Sequence, residues 1–247
     1  MAPIFTPDGT EVDKIILPDG SEALEVIAPD GSVVFVSIPD SDLWYSFDEG
    51  SGSVLTDKNG DEDGSISDGS WETDEDVFGG QYVNLGSNGE IQVDDGSAET
   101  SGWTTDNDLA VAIQIVVEDK LTDNGEGVIW SIKSDDFEGF TLGSGGSSDI
   151  AVEYRGNGDS VSFTEPDAPY TLGIFFRWDS DSEDFELYHG DADTQATGGS
   201  DPLVAFDDEF HIGNSPTRSD TNMEEGIACF GVWYDAYPDP EEFFNVL

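Results

Sequence analysis

From Ser41 to Leu247 the apolar residues come in short runs separated by clusters of Gly, Ser, Asn and Asp, with almost no 3.6-residue periodicity. Short runs broken by turn formers are the pattern of an all-β chain. The clearest strands are "DLWYSF" (42–47), "QYVNLG" (81–86), "DLAVAIQIVV" (108–117), "GVIWSIK" (127–133) and "GFTLGS" (139–144). They continue with "DIAVEYR" (149–155), "YTLGIFFRWD" (170–179), "DFELYHG" (184–190), "DEFHIG" (208–213) and "IACFGVWYD" (227–235). These ten strands predict a two-sheet sandwich or jelly roll. Only "DPEEFFNVL" (239–247) reads as helical, with Pro240 in the first turn, Glu241 and Glu242 at the positive end of the dipole, and apolar residues behind them.

The first forty residues are patterned differently. Pro7-Asp8-Gly9, Pro18-Asp19-Gly20 and Pro29-Asp30-Gly31 recur every eleven residues, and Pro39-Asp40 follows near the same step. Pro presets φ at the first corner of a turn, Asp caps it and Gly supplies positive φ. Between the turns lie "EVDKIIL" (11–17), "EALEVIA" (22–28) and "SVVFVSI" (32–38), each the length of one short strand. The expected unit is a small β-meander with too few large apolar groups to stand alone. Residues 1–40 are therefore expected to anchor or oligomerise the chain by packing on another surface, and residues 41–247 to form the main domain.

Charge adds a setting to this picture. In 247 residues there are 56 Asp and Glu against 7 Lys and Arg, a formal net charge of -49, and the acids are spread along the whole chain. Like charges feel one another over about 10 Å at 0.1 M salt but only about 3 Å at 1 M, so the composition suits concentrated brine. Disorder is the competing account of such charge, but 15 Phe, 7 Tyr and 6 Trp argue for a packed core. Nucleic acid and insertion into an anionic membrane are not expected, because both need a basic face or a long apolar segment and the chain has neither. Cys229 is the single cysteine, so an internal disulfide and a thiolate zinc site are ruled out. Nothing in "MAPIFTPDGTEVDK" resembles a secretion signal.

Several stretches, in order, resemble the landmarks of laminin G-like, concanavalin A-like jelly-roll domains: "LWYSFDEGSGSVLTDKNGDEDGSI" (43–66), "FGGQYVNLG" (78–86), "YTLGIFFRWDSDSEDFELYHG" (170–190), "FHIGN" (210–214) and "GIACFGVWYDAYPDPEEF" (226–243). The resemblance covers nearly all of residues 41–247 and implies two curved antiparallel sheets in a domain used for adhesion, carbohydrate binding or protein binding. One departure is that the acid after Gly231 is delayed to Asp235, so a role tied to the family's earlier Asp does not carry over. The leading repeat resembles the Pro-Asp-Gly-punctuated modules of turret, spike and tail-fibre proteins of tailed viruses, here with the acidity of a haloarchaeal host.

The candidate chemistry is sparse. A retaining glycosidase needs two carboxylates about 5 Å apart on one strand. The nearest stretch, Glu183, Asp184 and Glu186, is what so acidic a chain produces by chance, and no enzymatic activity is expected. His189 and His211 lie on separate strands and read as sheet residues. Asn59, Asp61 and Asp63 alternate like the start of a calcium loop, but Ser70 stands at position twelve where a bidentate Glu would close it. Ca²⁺ is thus the one candidate cofactor, with a solvated acidic loop as the alternative. Trp71 and Trp103 fall in expected loops, where an aromatic ring can stack on a sugar; Trp44, Trp130, Trp178 and Trp233 fall in strands and read as core.

Two functional expectations follow. The first is a structural virion protein of a halophilic archaeal virus, assembled in the host cytoplasm and displayed on the capsid or tail. It would be held to other virion proteins by residues 1–40, homo-oligomeric, and in contact with a host-surface glycan or glycoprotein. The alternative is an extracellular carbohydrate-binding module or adhesin.

Overall fold

The computed structural model describes residues 25–27, 33–36, 41–58, 63–74, 76–86, 89–93, 107–119, 127–131, 139–144, 149–154, 160–182, 184–198, 210–213, 225–235, 239–244 and 247. In chain order the elements are β1 (Glu25–Ile27), β2 (Val33–Val36), β3 (Leu43–Tyr45), β4 (Val54–Leu55), β5 (Gly64–Ser67), β6 (Ser70–Thr73), β7 (Gln81–Asn84), β8 (Glu90–Val93) and β9 (Leu109–Val117). They continue with β10 (Gly127–Ser131), β11 (Gly139–Ser144), β12 (Asp149–Tyr154), β13 (Ser160–Thr164), β14 (Tyr170–Asp179), β15 (Asp184–His189), β16 (Asp191–Gly198), β17 (Phe210–Ile212), β18 (Gly226–Tyr234) and the helix α1 (Pro240–Phe244). A 3-10 turn, Phe78–Gly80, leads into β7.

These strands make a two-sheet jelly-roll sandwich, as the short apolar runs predict. The front sheet has the order β13-β12-β11-β10-β17-β8-β5-β4 and the back sheet β16-β15-β14-β9-β18-β7-β6. β3 and β7 share one flank of β18, β7 opposite Gly226–Ile227 and β3 opposite Phe230–Val232. β1 and β2 form a separate two-stranded sheet, Glu25 opposite Val36 and Val26 opposite Phe35, so two of the expected repeat strands pair with each other. The remainder of the Pro-Asp-Gly repeat lies outside the described residues.

The main core fills the space between the sheets. Leu109, Val111, Ile113, Ile115 and Val117 alternate along β9 toward it and meet Leu172, Ile174, Phe176 and Trp178 of β14 and Ile227, Phe230 and Val232 of β18. The front sheet answers with Leu55, Ile66, Ile91, Val93 and Ile212. Each such side chain, fully buried, contributes roughly 1.5–3 kcal/mol.

β9 is buried at all nine of its positions, which a strand wetted on one face cannot be. The reason is a second apolar layer on the outward side of the back sheet. Ala110, Ala112, Phe175, Tyr188, Cys229, Trp233 and Trp44 lie there under Phe243 of α1, with Phe78, Phe244 and Leu247 packed beside them. Asp239 starts the helix by accepting from the Glu241 amide at 3.0 Å, and the Phe243 ring sits 5.9 Å from that of Phe175. The 3-10 turn is tied down by buried Gln114, whose Oε1 accepts from the Phe78 amide at 2.8 Å. Packing is tight: a Cβ on Gly231 would stand 2.4 Å from Trp44 Cε3.

Three expectations need correction. β4, β5, β6, β8, β13 and β16 are strands the apolar pattern does not reveal, because β4 is only two residues long and at least half the residues of each of the others are polar or small. Trp71 is on β6, not in a loop, with its ring 6.5 Å from that of Phe47 against the core. Buried Trp44 and Trp233 are core as expected, but in the outer layer and not between the sheets. The side chain of Trp130 lies outside the described residues.

Candidate functional site

The outward side of the front sheet differs from that of the back sheet. Opposed residues in an antiparallel pair share a face, and register aligns Val54 with Ser65, Ser65 with Gln92, and Gln92 with His211 across β4, β5, β8 and β17. Ile66, Ile91 and Ile212 form the neighbouring row and point into the core, so Val54, Ser65, Gln92 and His211 point away from it. Ser67 and Glu90 are paired one step along on the same outward side.

This row is graded in depth. Val54 is 52% exposed, the large apolar side chain that stands out among the described residues, and Ser65 and Ser67 are exposed beside it. Gln92 and Glu90 are partly covered, and His211 is 3% exposed. The imidazole is therefore enclosed at one end of a polar shelf that opens toward β4. Its Nδ1 lies 3.8 Å from Glu90 Oε2. The shelf combines hydroxyls, an amide with both donor and acceptor, a carboxylate, and one patch of exposed methyls, a set suited to a ligand that is polar at its edge and apolar on its face.

The segments on either side of β4 are held by side chains. Trp71 Nε1 donates to the Gly52 carbonyl at 2.8 Å, fixing the approach to β4. Asp57 is buried and its Oδ1 accepts from the Trp44 amide at 2.9 Å, while its own amide donates to Asp63 Oδ1 at 3.2 Å. Lys58 Nζ donates to Asp48 at 2.7 Å and stands 3.7 Å from Glu49. Desolvation alone would lower the Lys58 pKa, but its bonds and attraction to Asp48 and Glu49 outweigh that and raise it. Of the sequence candidates, Trp71 on β6 is thus bonded to the residue stretch before β4, and Asp63 to the segment between β4 and β5. Asn59, Asp61 and Trp103 lie outside the described residues. Among the described residues no group of three His, Cys, Asp or Glu side chains is placed to hold a metal ion.

No family model matches the chain, and no curated protein matches it in sequence. Solved structures do. Domain 4 of AbnA, a GH43 extracellular arabinanase from Geobacillus stearothermophilus in complex with arabinotriose, aligns over 84% of this chain and 98% of its own, with TM-score 0.60 and 15% identity. The binding domain of botulinum neurotoxin DC in complex with rat synaptotagmin II aligns over 83% of this chain and 51% of its own, with TM-score 0.58 and 13% identity. Trypanosoma rangeli sialidase in complex with sialic acid aligns over 91% of this chain and 35% of its own, with TM-score 0.62 and 11% identity. What they share with this chain is the fold. The chain spans the whole of the arabinanase domain but about half of the toxin binding domains.

Elsewhere the ionisable groups serve the scaffold. On the outward side of the back sheet Arg177 is paired with Glu186, which also accepts from the Tyr188 hydroxyl at 3.0 Å, and the guanidinium lies 5.9 Å from the centre of the Tyr188 ring. Glu186 is therefore engaged inside a sheet; Glu183 and the side chain of Asp184 lie outside the described residues. At the end of the sandwich where β9 stops, the Tyr82 hydroxyl lies 2.8 Å from a Glu118 oxygen and 3.1 Å from a Glu72 oxygen, its one proton shared between them. Burial and then those two bonds push its pKa well above the usual phenol range. Tyr170, bonded to Glu165 at 3.3 Å, is raised by burial and by that carboxylate. Burial likewise pushes the Cys229 thiol far up, which leaves an inert small hydrophobe as the sequence suggests.

Sequence reasoning did not single out Val54, Ser65, Gln92 or Glu90. The available signal is the alternation in Gly64-Ser65-Ile66-Ser67 and Glu90-Ile91-Gln92-Val93, but each stretch holds only one or two large apolar residues.

Proposed function

We propose that the chain is a non-enzymatic carbohydrate-binding module that works at an extracellular surface and takes its ligand on the outward shelf of the front sheet. The observation that carries this reading is the row Val54, Ser65, Gln92 and His211, with Glu90 beside it, on a sheet face whose β4 end is open. The jelly-roll fold supports it, because solved structures with that fold include an arabinanase domain in complex with arabinotriose. A glycan array in molar salt tests it. Wild type should bind at least one glycan family, and Gln92→Ala should lose the signal while remaining folded. Binding that survives Gln92→Ala but vanishes in Trp103→Ala would place the ligand elsewhere.

A structural role on a virus particle is the second reading. The hairpin of β1 and β2 favours it, because a sheet of two strands is too small to be stable by itself and needs a surface to pack on. The two readings are compatible, since a displayed module can bind a host glycan. Removing residues 1–40 separates them: loss of oligomers or of particle incorporation with glycan binding intact supports the anchor, and unchanged assembly removes it.

A further inference from the structure

We propose that the front shelf takes a linear glycan by one of its ends, laid across the strands, with about three sugar units filling the shelf. This rests on the reading of the chain as a carbohydrate-binding module and names the part of the glycan that the module takes.

The direction of the ligand follows from how exposure changes over the shelf. Along one strand it is constant: Ser65 and Ser67 on β5 are both exposed, and Glu90 and Gln92 on β8 are both partly covered. From strand to strand it falls, from Val54 on the edge strand β4, through β5 and β8, to His211 on β17 at 3%. The floor therefore descends across the strands, and a chain that follows it runs from β4 toward β17.

The length of the bound segment follows from the register. Val54, Ser65, Gln92 and His211 stand on adjacent strands, so the row crosses successive strand spacings that together make about 14 Å. A sugar unit with its glycosidic oxygen advances by about one such spacing, which gives about three units. In the middle of the row the Gln92 amide both donates and accepts and the Ser65 hydroxyl does either, a match for sugar hydroxyls. At the open end Val54 offers methyls to the C–H face of the outermost unit. At the far end the imidazole is enclosed, so the outward side of β17 is covered and a chain laid on the row stops there. A glycan thus enters with a terminus leading, and the rest of its chain leaves past β4.

The test uses the full chain in molar NaCl and titration calorimetry. The probes are linear arabino-, gluco-, manno- and galacto-oligosaccharides graded from about two to about six units, and the parent linear polysaccharides. Affinity should rise up to about three units and then level off, and a polysaccharide should titrate at one protein per chain. A bulky aromatic label on one terminus of the best probe should abolish binding, and the same label on the other terminus should leave it intact. Val54→Ser should remove the gain on adding the third unit, about fivefold, and leave the shortest probe unchanged. Gln92→Ala should weaken every length at least about tenfold. Near-ultraviolet circular dichroism of both variants verifies that the fold is kept. Affinity that climbs with every added unit, several copies bound along one polysaccharide chain, or equal losses at all lengths in Val54→Ser overturns binding by an end while leaving the module standing. Failure of every probe to bind overturns both.

Discussion

The two sheets of this sandwich have outward faces of opposite character. The back sheet carries Ala110, Ala112, Phe175, Tyr188, Cys229 and Trp233 on that side and lies under α1 and the 3-10 turn. Next to β4, the front sheet carries Ser65, Ser67, Glu90 and Gln92 and is open. One side is thus a third packed layer and the other a polar face, so a substitution on the back should cost stability and, under the proposed reading, one on the front should cost binding.

The sharpest way to break that division is Phe243→Ala. The ring is buried among Phe175 and Phe244, and truncating it should destabilise the fold by about 3 to 5 kcal/mol, read from denaturant unfolding in molar salt. A loss under about 1 kcal/mol would mean that the outer layer is only loosely held.

Alkaline titration probes the same face with a smaller effect. Burial first, and then the bond to Glu186, raises the Tyr188 hydroxyl from 10.0 to about 12. The native state thus keeps a proton that the unfolded chain gives up. Stability from this group is fully present below about pH 10 and is lost as pH rises toward about 12. Tyr82 and Tyr170, raised further, prolong the decline. Tyr188→Phe should flatten the slope of unfolding free energy against pH in the window between 10 and 12. An unchanged slope would show that the tyrosine is not buried in solution.

The smallest expected effect is on the front. Gln92→Ala should shift stability by no more than about 0.5 kcal/mol, since the side chain is partly exposed and lies on the far side of the sheet from the core. A loss of about 2 kcal/mol would turn the shelf into scaffold and undo the contrast.

The same contrast explains what was legible in the sequence. β9, β14 and β18 show as long apolar runs because both of their faces are covered, and α1 shows through Pro240, two acids and two Phe. β4, β5 and β8 are two to four residues long and wet on one side, so each sends only one or two large side chains inward, Leu55, Ile66, or Ile91 with Val93. Such strands resemble acidic loop in a chain where Asp and Glu are everywhere. The candidate shelf is built from these strands, and for that reason the sequence pointed instead to the conspicuous Trp71. Trp71 packs against the core beside Phe47, and its indole N–H holds the Gly52 carbonyl just before β4.

The brevity of β4 has a consequence for life in company. It closes one edge of an eight-stranded sheet, yet spans only Val54 and Leu55. A longer edge would present a ladder of free amides and carbonyls on which a second chain could add a strand, and so on into a fibre. An edge of two residues gives a visiting strand almost nothing to zip onto. At molar salt, where charge repulsion between molecules is largely screened, strand addition at this border is hindered by its length alone.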